Sequence, residues 1–316
     1  MPEKRVKKNP PFLPPILAEK GGIFLPEIAS SSLESMSYLR PFIKWVGGKT
    51  QLLSVLENRI PSTYSRYFEP FLGGGALLFS QRPEQAFVSD TNPVLIQAYL
   101  DVRDHPQELM RYTHKLDILL QAEGLTQKEQ NDYYLGIRET FNAFLKKREY
   151  GLQSSGLFLF LNKHAFNGLY RTNRKGAFNA PFAYSIRDSF QPKNILAVSS
   201  FLRTHAVSFF CQDFEKTCED AGKGDFVFFD SPYAPLTDTS FVSYTKEGFS
   251  KDDHIRLARL AKKLSERGAF VMVTNHNTPF IRELYDGFSM EAVSVHRNIN
   301  RDGKNRYGEE LIITSR

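Results

Sequence analysis

Tyr67-Phe68-Glu69-Pro70-Phe71-Leu72-Gly73-Gly74-Gly75 carries an apolar run into three glycines, and Ala76 to Ser80 then reads as the opening of a helix. Ala86-Phe87-Val88-Ser89-Asp90 follows as a second short apolar run that stops at an acid. Strand, glycine turn, helix, strand, acid is the beginning of an α/β unit. Farther along, Phe226-Val227-Phe228-Phe229-Asp230-Ser231-Pro232-Tyr233 reads as a buried strand ending in an acid, a proline and an aromatic ring. Open α/β sheets place their chemistry at the carboxyl ends of their strands. Asp230 and Tyr233 there resemble a pocket for a flat polar ring. The plainer alternative is that Asp230 caps a turn and Tyr233 packs.

Outward from these runs the pattern stays α/β. Gly47-Gly48-Lys49 makes a turn, and Leu52, Leu53, Val55 and Leu56 give a helical face that closes at Pro61. Residues 94–150 are mostly helical. Strand-like runs resume at Val207 to Cys211 and Phe270 to Thr274. Between Asp230 and Phe270, Ser250 and Asp253 predict a capped helix start, Ile255, Leu257, Leu260 and Leu264 its apolar face and Gly268 its stop. Phe288 to Val295 and Leu311 to Thr314 are expected to pair as an antiparallel edge around a basic turn holding Arg297, Arg301, Lys304 and Arg306. Residues 157–193 differ in character, with six bases against the single acid Asp188, a net of +5 beside +6 for the whole chain. Phe166, Tyr170, Phe178, Phe182 and Tyr184 interleave with those bases. This predicts one α/β domain over residues 41–93 and 195–316, with a module inserted over 94–194.

Residues 1–40 are read as a mobile N-terminal extension. Lys4, Arg5, Lys7 and Lys8 precede Pro10, Pro11, Pro14, Pro15 and Pro26, which interrupt any signal-peptide core. Met36, just before the patterned region, is an alternative start. The 316 residues are 41% hydrophobic, enough for a real core, and a pI near 9.1 favours acidic partners, nucleic acid first. Cys211 and Cys218, the only cysteines, make no disulfide framework, which points to an intracellular compartment. No cysteine and histidine spacing suggests zinc, and no apolar run approaches membrane-spanning length.

The glycines constrain the cofactor. Gly48-Lys49-Thr50 ends like a phosphate-binding loop, but Ile43 stands where its first glycine belongs. Gly73 and Gly75 match the first two glycines of the dinucleotide fingerprint, and Leu78 replaces the third, which disfavours a diphosphate-bearing dinucleotide. Asp90 follows Gly73 by 17 residues, close to the spacing of an acid that holds ribose hydroxyls. The combination suits an adenosyl cofactor without a diphosphate, S-adenosylmethionine first. A tight turn at the glycines and a helix cap at Asp90 are the alternatives.

These runs resemble the Dam-type (D12 class) site-specific DNA adenine-N6 methyltransferases. The resemblance rests on Phe42 to Lys49, Phe68 to Gly75, Ser89 to Asn92, Leu161 to Leu169, Gly176 to Phe182, Asp230 to Tyr233 and Thr274 to Thr278, in the family's order, over residues 41 to 316. It implies an S-adenosylmethionine-dependent methyltransferase (Rossmann-like) sheet with an inserted helical target-recognition domain. It implies methylation of the exocyclic N6 amine of adenine in double-stranded DNA, at GATC or a related site, by base flipping. Lys44, Trp45 and Lys49 would line the cofactor site, with Lys49 near the methionine carboxylate. Gly73 and Gly75 would pass beside the methionine, Asp90 would hold the ribose, and Asp213 and Phe214 would meet the adenine ring; Asp230 borders this site too. Arg171 matches the family's guanine-reading arginine, and Phe166 and Asn167 a pair that inserts at the flipped site, with Phe166 for the family's tyrosine. Arg174, Lys175, Arg301, Lys304 and Arg306 are expected to hold phosphates. No metal, membrane or obligate protein partner is implied, and the place is the cytoplasm of a bacterium, or of a phage's host.

The chemistry follows from the target amine, whose lone pair is delocalised into the ring. Asp230 can accept one amine hydrogen and the Ser231 carbonyl the other, which favours a pyramidal nitrogen and stabilises its developing charge. Tyr233 would stack on the base, and Pro232 stiffens the turn. Ser231 departs from the family's usual Asp-Pro-Pro-Tyr but keeps the carbonyl. Two alternatives stay beside this reading: a cytosine-N4 methyltransferase, and a catalytically weak DNA-binding homologue because of Ser231.

Overall fold

The computed structural model describes residues 39–236, 248–296 and 307–315. Seven strands form one sheet: β1 (Tyr67–Glu69), β2 (Gln85–Ser89), β3 (Ala206–Phe210), β4 (Phe226–Phe229), β5 (Phe270–His276), β6 (Ser289–His296) and β7 (Tyr307–Thr314). Their order is β3-β2-β1-β4-β5-β7-β6. The first five are parallel. β7 runs antiparallel to both β5 and β6. The expected pairing of the last two strands is present, with β7 inside the sheet and β6 at the edge opposite β3. The burial explains it: Leu311, Ile312 and Ile313 are an unbroken apolar run, all buried, as a strand covered on both faces must be.

Strand side chains alternate between two cores. Phe226 and Phe228 face one, Val227 and Phe229 the other. The first core is shared with α1 (Leu53–Glu57), α2 (Ala76–Gln81), α3 (Pro93–Asp104), α4 (Pro106–Leu120), α5 (Gln127–Lys147), α6 (Leu152–His164) and α7 (Pro192–Thr204). The second carries α8 (Phe214–Thr217), α9 (Lys251–Glu266) and α10 (Pro279–Leu284). Helix starts follow their sequence signals. Asn92 caps α3 ahead of Pro93, accepting from the amides of Val94 and Leu95. Ser250 and Asp253 form the expected capping box of α9.

Between β2 and β3 the chain is helical through residue 164. α6 buries Leu157 to Leu161 without a polar face, in the same core as one side of the sheet. Beyond it the chain is largely irregular up to α7, tied by the antiparallel bridges Ala165 to Phe182 and Thr172 to Phe178. The basic, aromatic stretch seen in the sequence is therefore a strap and a small hairpin rather than more helix. Phe178 and Phe182 are buried there by ordinary packing. Cys211 and Cys218 are both free thiols. Among the described residues no helix is long and apolar enough to cross a membrane.

Candidate active site

The strand order reverses between β1 and β4, and a crevice opens at the carboxyl ends of strands flanking such a switch point. A cleft of about 1740 Å³ lies there, lined by the segments that leave β1, β2, β3 and β4. Single small-molecule pockets span about 300–1,000 Å³, so this one has room for a second ligand group beside a cofactor. Lys44, Trp45, Lys49, Gly73, Gly75, Asp90, Asn167, Asp213, Phe214 and Asp230 through Tyr233 all line it.

One half is built on the glycine turn. Gly73 and Gly75 have φ of +48° and +65°, where a side chain is strained. Space is short as well: a Cβ on Gly73 would come within 2.7 Å of Trp45 Cδ1, and one on Gly75 within 2.8 Å of the Tyr99 hydroxyl. That hydroxyl donates to the Gly73 carbonyl at 3.0 Å. Asp90 accepts from the amides of Gly73 at 3.2 Å and Asn92 at 2.9 Å. Asn92, not Asp90, is thus the helix cap, and Asp90 braces the turn from the next strand. Burial raises the Asp90 carboxyl above its ordinary range. Trp45 stacks on Tyr170 with centroids 5.5 Å apart. Asn162 grips the Lys44 backbone at both its amide and carbonyl, 2.9 and 2.8 Å. Asp213 caps α8 through the Glu215 amide and pairs with Arg256, while Phe214 stacks on Phe71.

The other half is built on Asp230. Lys49, only 5% exposed, pairs with Asp230 Oδ1 at 2.6 Å and donates to the Gly47 carbonyl at 2.7 Å. Thr274 at the end of β5 donates to the same Oδ1 at 2.8 Å. Burial raises the Asp230 carboxyl, and the Lys49 ammonium acts against that. Tyr233 donates to Glu310 at 2.6 Å, meets the His276 ring edge-on and lies under the Lys49 ammonium at 4.8 Å. Asn275 accepts from the Ala234 amide at 2.9 Å, which ties the loop to β5. Ser231 is 2% exposed, and its hydroxyl has no hydrogen-bond partner among the described residues.

Phe166, Arg171, Arg174 and Lys175 are not among the residues that line this cleft. Phe166 is 54% exposed, beside Asn167 at φ +58°. Arg171 lies exposed on the hairpin, its Nε on Asn179 Oδ1 at 2.8 Å and its Nη2 on the Asn179 carbonyl at 3.1 Å. Arg174 and Lys175 occupy the hairpin tip. Arg301, Lys304 and Arg306 lie outside the described residues, as do residues 1–38 with Met36.

Glu69, Thr274, Glu310 and Asn162 were not singled out from the sequence. Glu69 had a signal, a lone acid inside the apolar run Tyr67 to Phe71. It is buried in the cleft, accepts from Tyr67 at 2.8 Å, and its carboxyl is raised to about 8, chiefly by burial. Its native form holds a proton that the unfolded chain releases near 4.5, so stability falls as pH rises from that value to about 8. Glu69→Gln is expected to gain stability over the wild type across that window, by roughly 1.4 kcal/mol per pH unit at most. Chemical denaturation at several pH values reads this; a constant difference would refute it.

Comparison with known proteins gives the family of the chain. The family of D12 class N6 adenine-specific DNA methyltransferases matches residues 45–299. The type II methyltransferase M1.LlaDCHI of Lactococcus lactis subsp. cremoris is 36% identical over 281 residues, 88% of this chain and 95% of that protein. The type II methyltransferase M.MjaIII of Methanocaldococcus jannaschii is 38% identical over 281 residues, 85% and 95% of the two chains. The DNA adenine methylase of Vibrio cholerae is 33% identical over 273 residues, 86% and 94% of the two.

Proposed function

Because the chain belongs to the D12 class N6 adenine-specific DNA methyltransferases, we propose that this cleft holds S-adenosylmethionine on the glycine turn and a flipped adenine against Asp230. The target site is GATC or a close relative. The observation that carries this reading is the treatment of Asp230. Both described hydrogen-bonding partners of its carboxylate, Lys49 and Thr274, sit on Oδ1, which leaves Oδ2 to accept an amine hydrogen.

The turn suits the cofactor on its own terms. Gly73 and Gly75 hold positive φ and let the turn pack against Trp45 and Tyr99 more closely than a side chain would allow, which keeps bare backbone at the cleft wall, and Asp90 is held by two backbone amides where a ribose hydroxyl could share it. Lys44, Trp45 and Lys49 form the methionine side, and Asp213 and Phe214 the adenine side. When bound, S-adenosylmethionine supplies a methyl group already activated on a sulfonium.

The chain's residues then act on the base. Asp230 Oδ2 accepts one hydrogen of the target amine and the Ser231 carbonyl the other. The lone pair leaves conjugation, and the charge that develops on nitrogen faces a carboxylate in a site of low polarity. Burial raises that carboxyl, and the Lys49 ammonium opposes the rise and favours the ionised form. Tyr233, fixed by Glu310 and His276, offers its ring to the base, and Pro232 fixes the turn. Holding the amine in line supplies much of the remaining acceleration. The Ser231 side chain takes no part, and its carbonyl serves as proline's would. Retention of the acid at Asp230, with its partners in place, favours a working adenine enzyme over a silent DNA binder.

The stretch 94–194 serves as the target-recognition region. The described hydrogen bonds of Arg171 use Nε and one Nη2 hydrogen, so Nη1 and the other Nη2 hydrogen can take the two major-groove acceptors of a guanine. Phe166 and Asn167 fill the gap left by the flipped base, and Arg174, Lys175, Arg301, Lys304 and Arg306 hold phosphates. Sequencing of methylated bases on treated DNA tests the reading: adenine in GATC or a one-base relative is the expected product. Arg171→Ala should cut preference for the guanine-containing site by about 10-fold or more. Unchanged selectivity would remove Arg171 from this role.

A further inference from the structure

We propose that Tyr184 is a further DNA-contacting residue, a rigid aromatic prong at the cleft rim that packs its ring on the duplex beside the target nucleotide. The proposal rests on the methyltransferase reading above for the nature of its ligand. It starts from an outlier. Tyr184 has φ +53°, a left-handed conformation that glycine or asparagine adopts far more readily, and it is 55% exposed. Strain of this kind persists where the surroundings impose it, and such residues gather at functional sites.

The surroundings here are unusually firm. The amide of Ala183 donates to the His164 carbonyl at 2.9 Å, and the carbonyl of Ser185 faces His164 Nδ1 at 3.1 Å. Both neighbours of Tyr184 are thus fastened to one residue. His164 Nε2 reaches Asp117 Oδ1 at 3.2 Å, and Asp117 takes the Ser189 amide and hydroxyl at 2.9 and 2.5 Å. Asp117, His164 and Ser189 are all buried. The ring itself leans on Phe182, centroids 5.0 Å apart, and Phe182 stacks on Tyr134. A buried polar bracket therefore holds a strained strap whose aromatic ring projects into solvent.

The position identifies the ligand. Ala183, Ser185 and Arg187 of the same strap line the cleft, as does Lys163. The bridge between Ala165 and Phe182 sets this strap beside the segment carrying Phe166, and both rings are more than half exposed. Two exposed rings among cations at a cleft mouth suit bases and sugars: every base has a stacking face, and a pre-positioned tyrosine loses little entropy on contact. An ordinary surface tyrosine has no need of a left-handed backbone.

The test uses the full-length protein with Tyr184→Gly, Tyr184→Asn and Tyr184→Phe. Glycine and asparagine both accept the left-handed backbone, so the fold should keep or gain thermal stability and cofactor affinity should not change. Affinity for a short duplex carrying the target site, read by fluorescence anisotropy, should fall about 10-fold in both, with Tyr184→Phe within about 2-fold of the wild type. Unchanged duplex affinity in the glycine and asparagine variants would overturn the proposal; so would a loss that merely follows a fall in melting temperature. Duplex binding is measured without methyl transfer. A wild type that methylates no adenine would therefore refute the functional reading, separately from the role of Tyr184.

Discussion

Asp230→Ala is expected to lower methyl transfer by about 10³-fold while S-adenosylmethionine still binds. The target amine is a weak nucleophile, and Asp230 Oδ2 is its acceptor. Removing the carboxylate removes both the pull on the amine hydrogen and the negative charge that faces the developing cation. Cofactor affinity should survive, because Gly73, Gly75 and Asp90 stand on other strands and do not depend on Asp230 for their hydrogen bonds. Alanine would also leave the Lys49 ammonium buried without its anion, a change that costs about 3–5 kcal/mol for a buried pair. Asp230→Asn separates the two effects. Its oxygen can still accept from Lys49 and Thr274, while an NH2 replaces Oδ2 and donates where an acceptor is required. Loss of turnover with a near-native melting temperature is the expected result for Asn, read by methyl transfer beside thermal unfolding. Retained turnover in either variant would take the acceptor role from Asp230.

Lys49→Met should lower turnover at neutral pH by about 10- to 100-fold and move the acidic limb of the pH profile upward. The sign follows from the pair. Burial raises the Asp230 carboxyl, and the ammonium 2.6 Å away opposes that rise. An opposite charge at this range favours the carboxylate, so its loss raises the Asp230 carboxyl further and more of the enzyme holds a protonated acid that cannot accept the amine. Raising the pH should restore part of the lost rate. Cofactor affinity should also fall, since Lys49 is the cation assigned to the methionine carboxylate. The double variant Lys49→Met with Asp230→Asn removes the buried charge altogether; it should recover stability without recovering turnover. A pH profile that stays in place in Lys49→Met would show that Lys49 does not hold Asp230 ionised.

What the sequence made legible is local or carried by motif. The run into Gly73, the acid at Asp90 and the strand into Asp230 each declare an element and its end within a few residues. They meet because parallel strands bring their carboxyl ends to one side of the sheet. The placement of β7 between β5 and β6 was less legible, because antiparallel pairing of two late strands is compatible with either one at the edge. The unbroken apolar run of Leu311 to Ile313 was the available clue. The importance of Thr274 and Glu310 lies in what they touch, and they read as ordinary strand residues until the fold sets them at the cleft; Glu69 alone had a local signal, as a lone acid in an apolar run. The Lys49 to Asp230 pair is likewise a product of tertiary packing. His164 is buried, and what it secures is the strap on which Tyr184 stands.

The central claim is that this cleft methylates the N6 amine of adenine in DNA. Duplex DNA incubated with the protein and methyl-labelled S-adenosylmethionine, then digested to nucleosides, tests it most directly. Label in N6-methyladenine, lost in Asp230→Asn, is the expected result. Label in N4-methylcytosine, or in no base at all, would contradict the account.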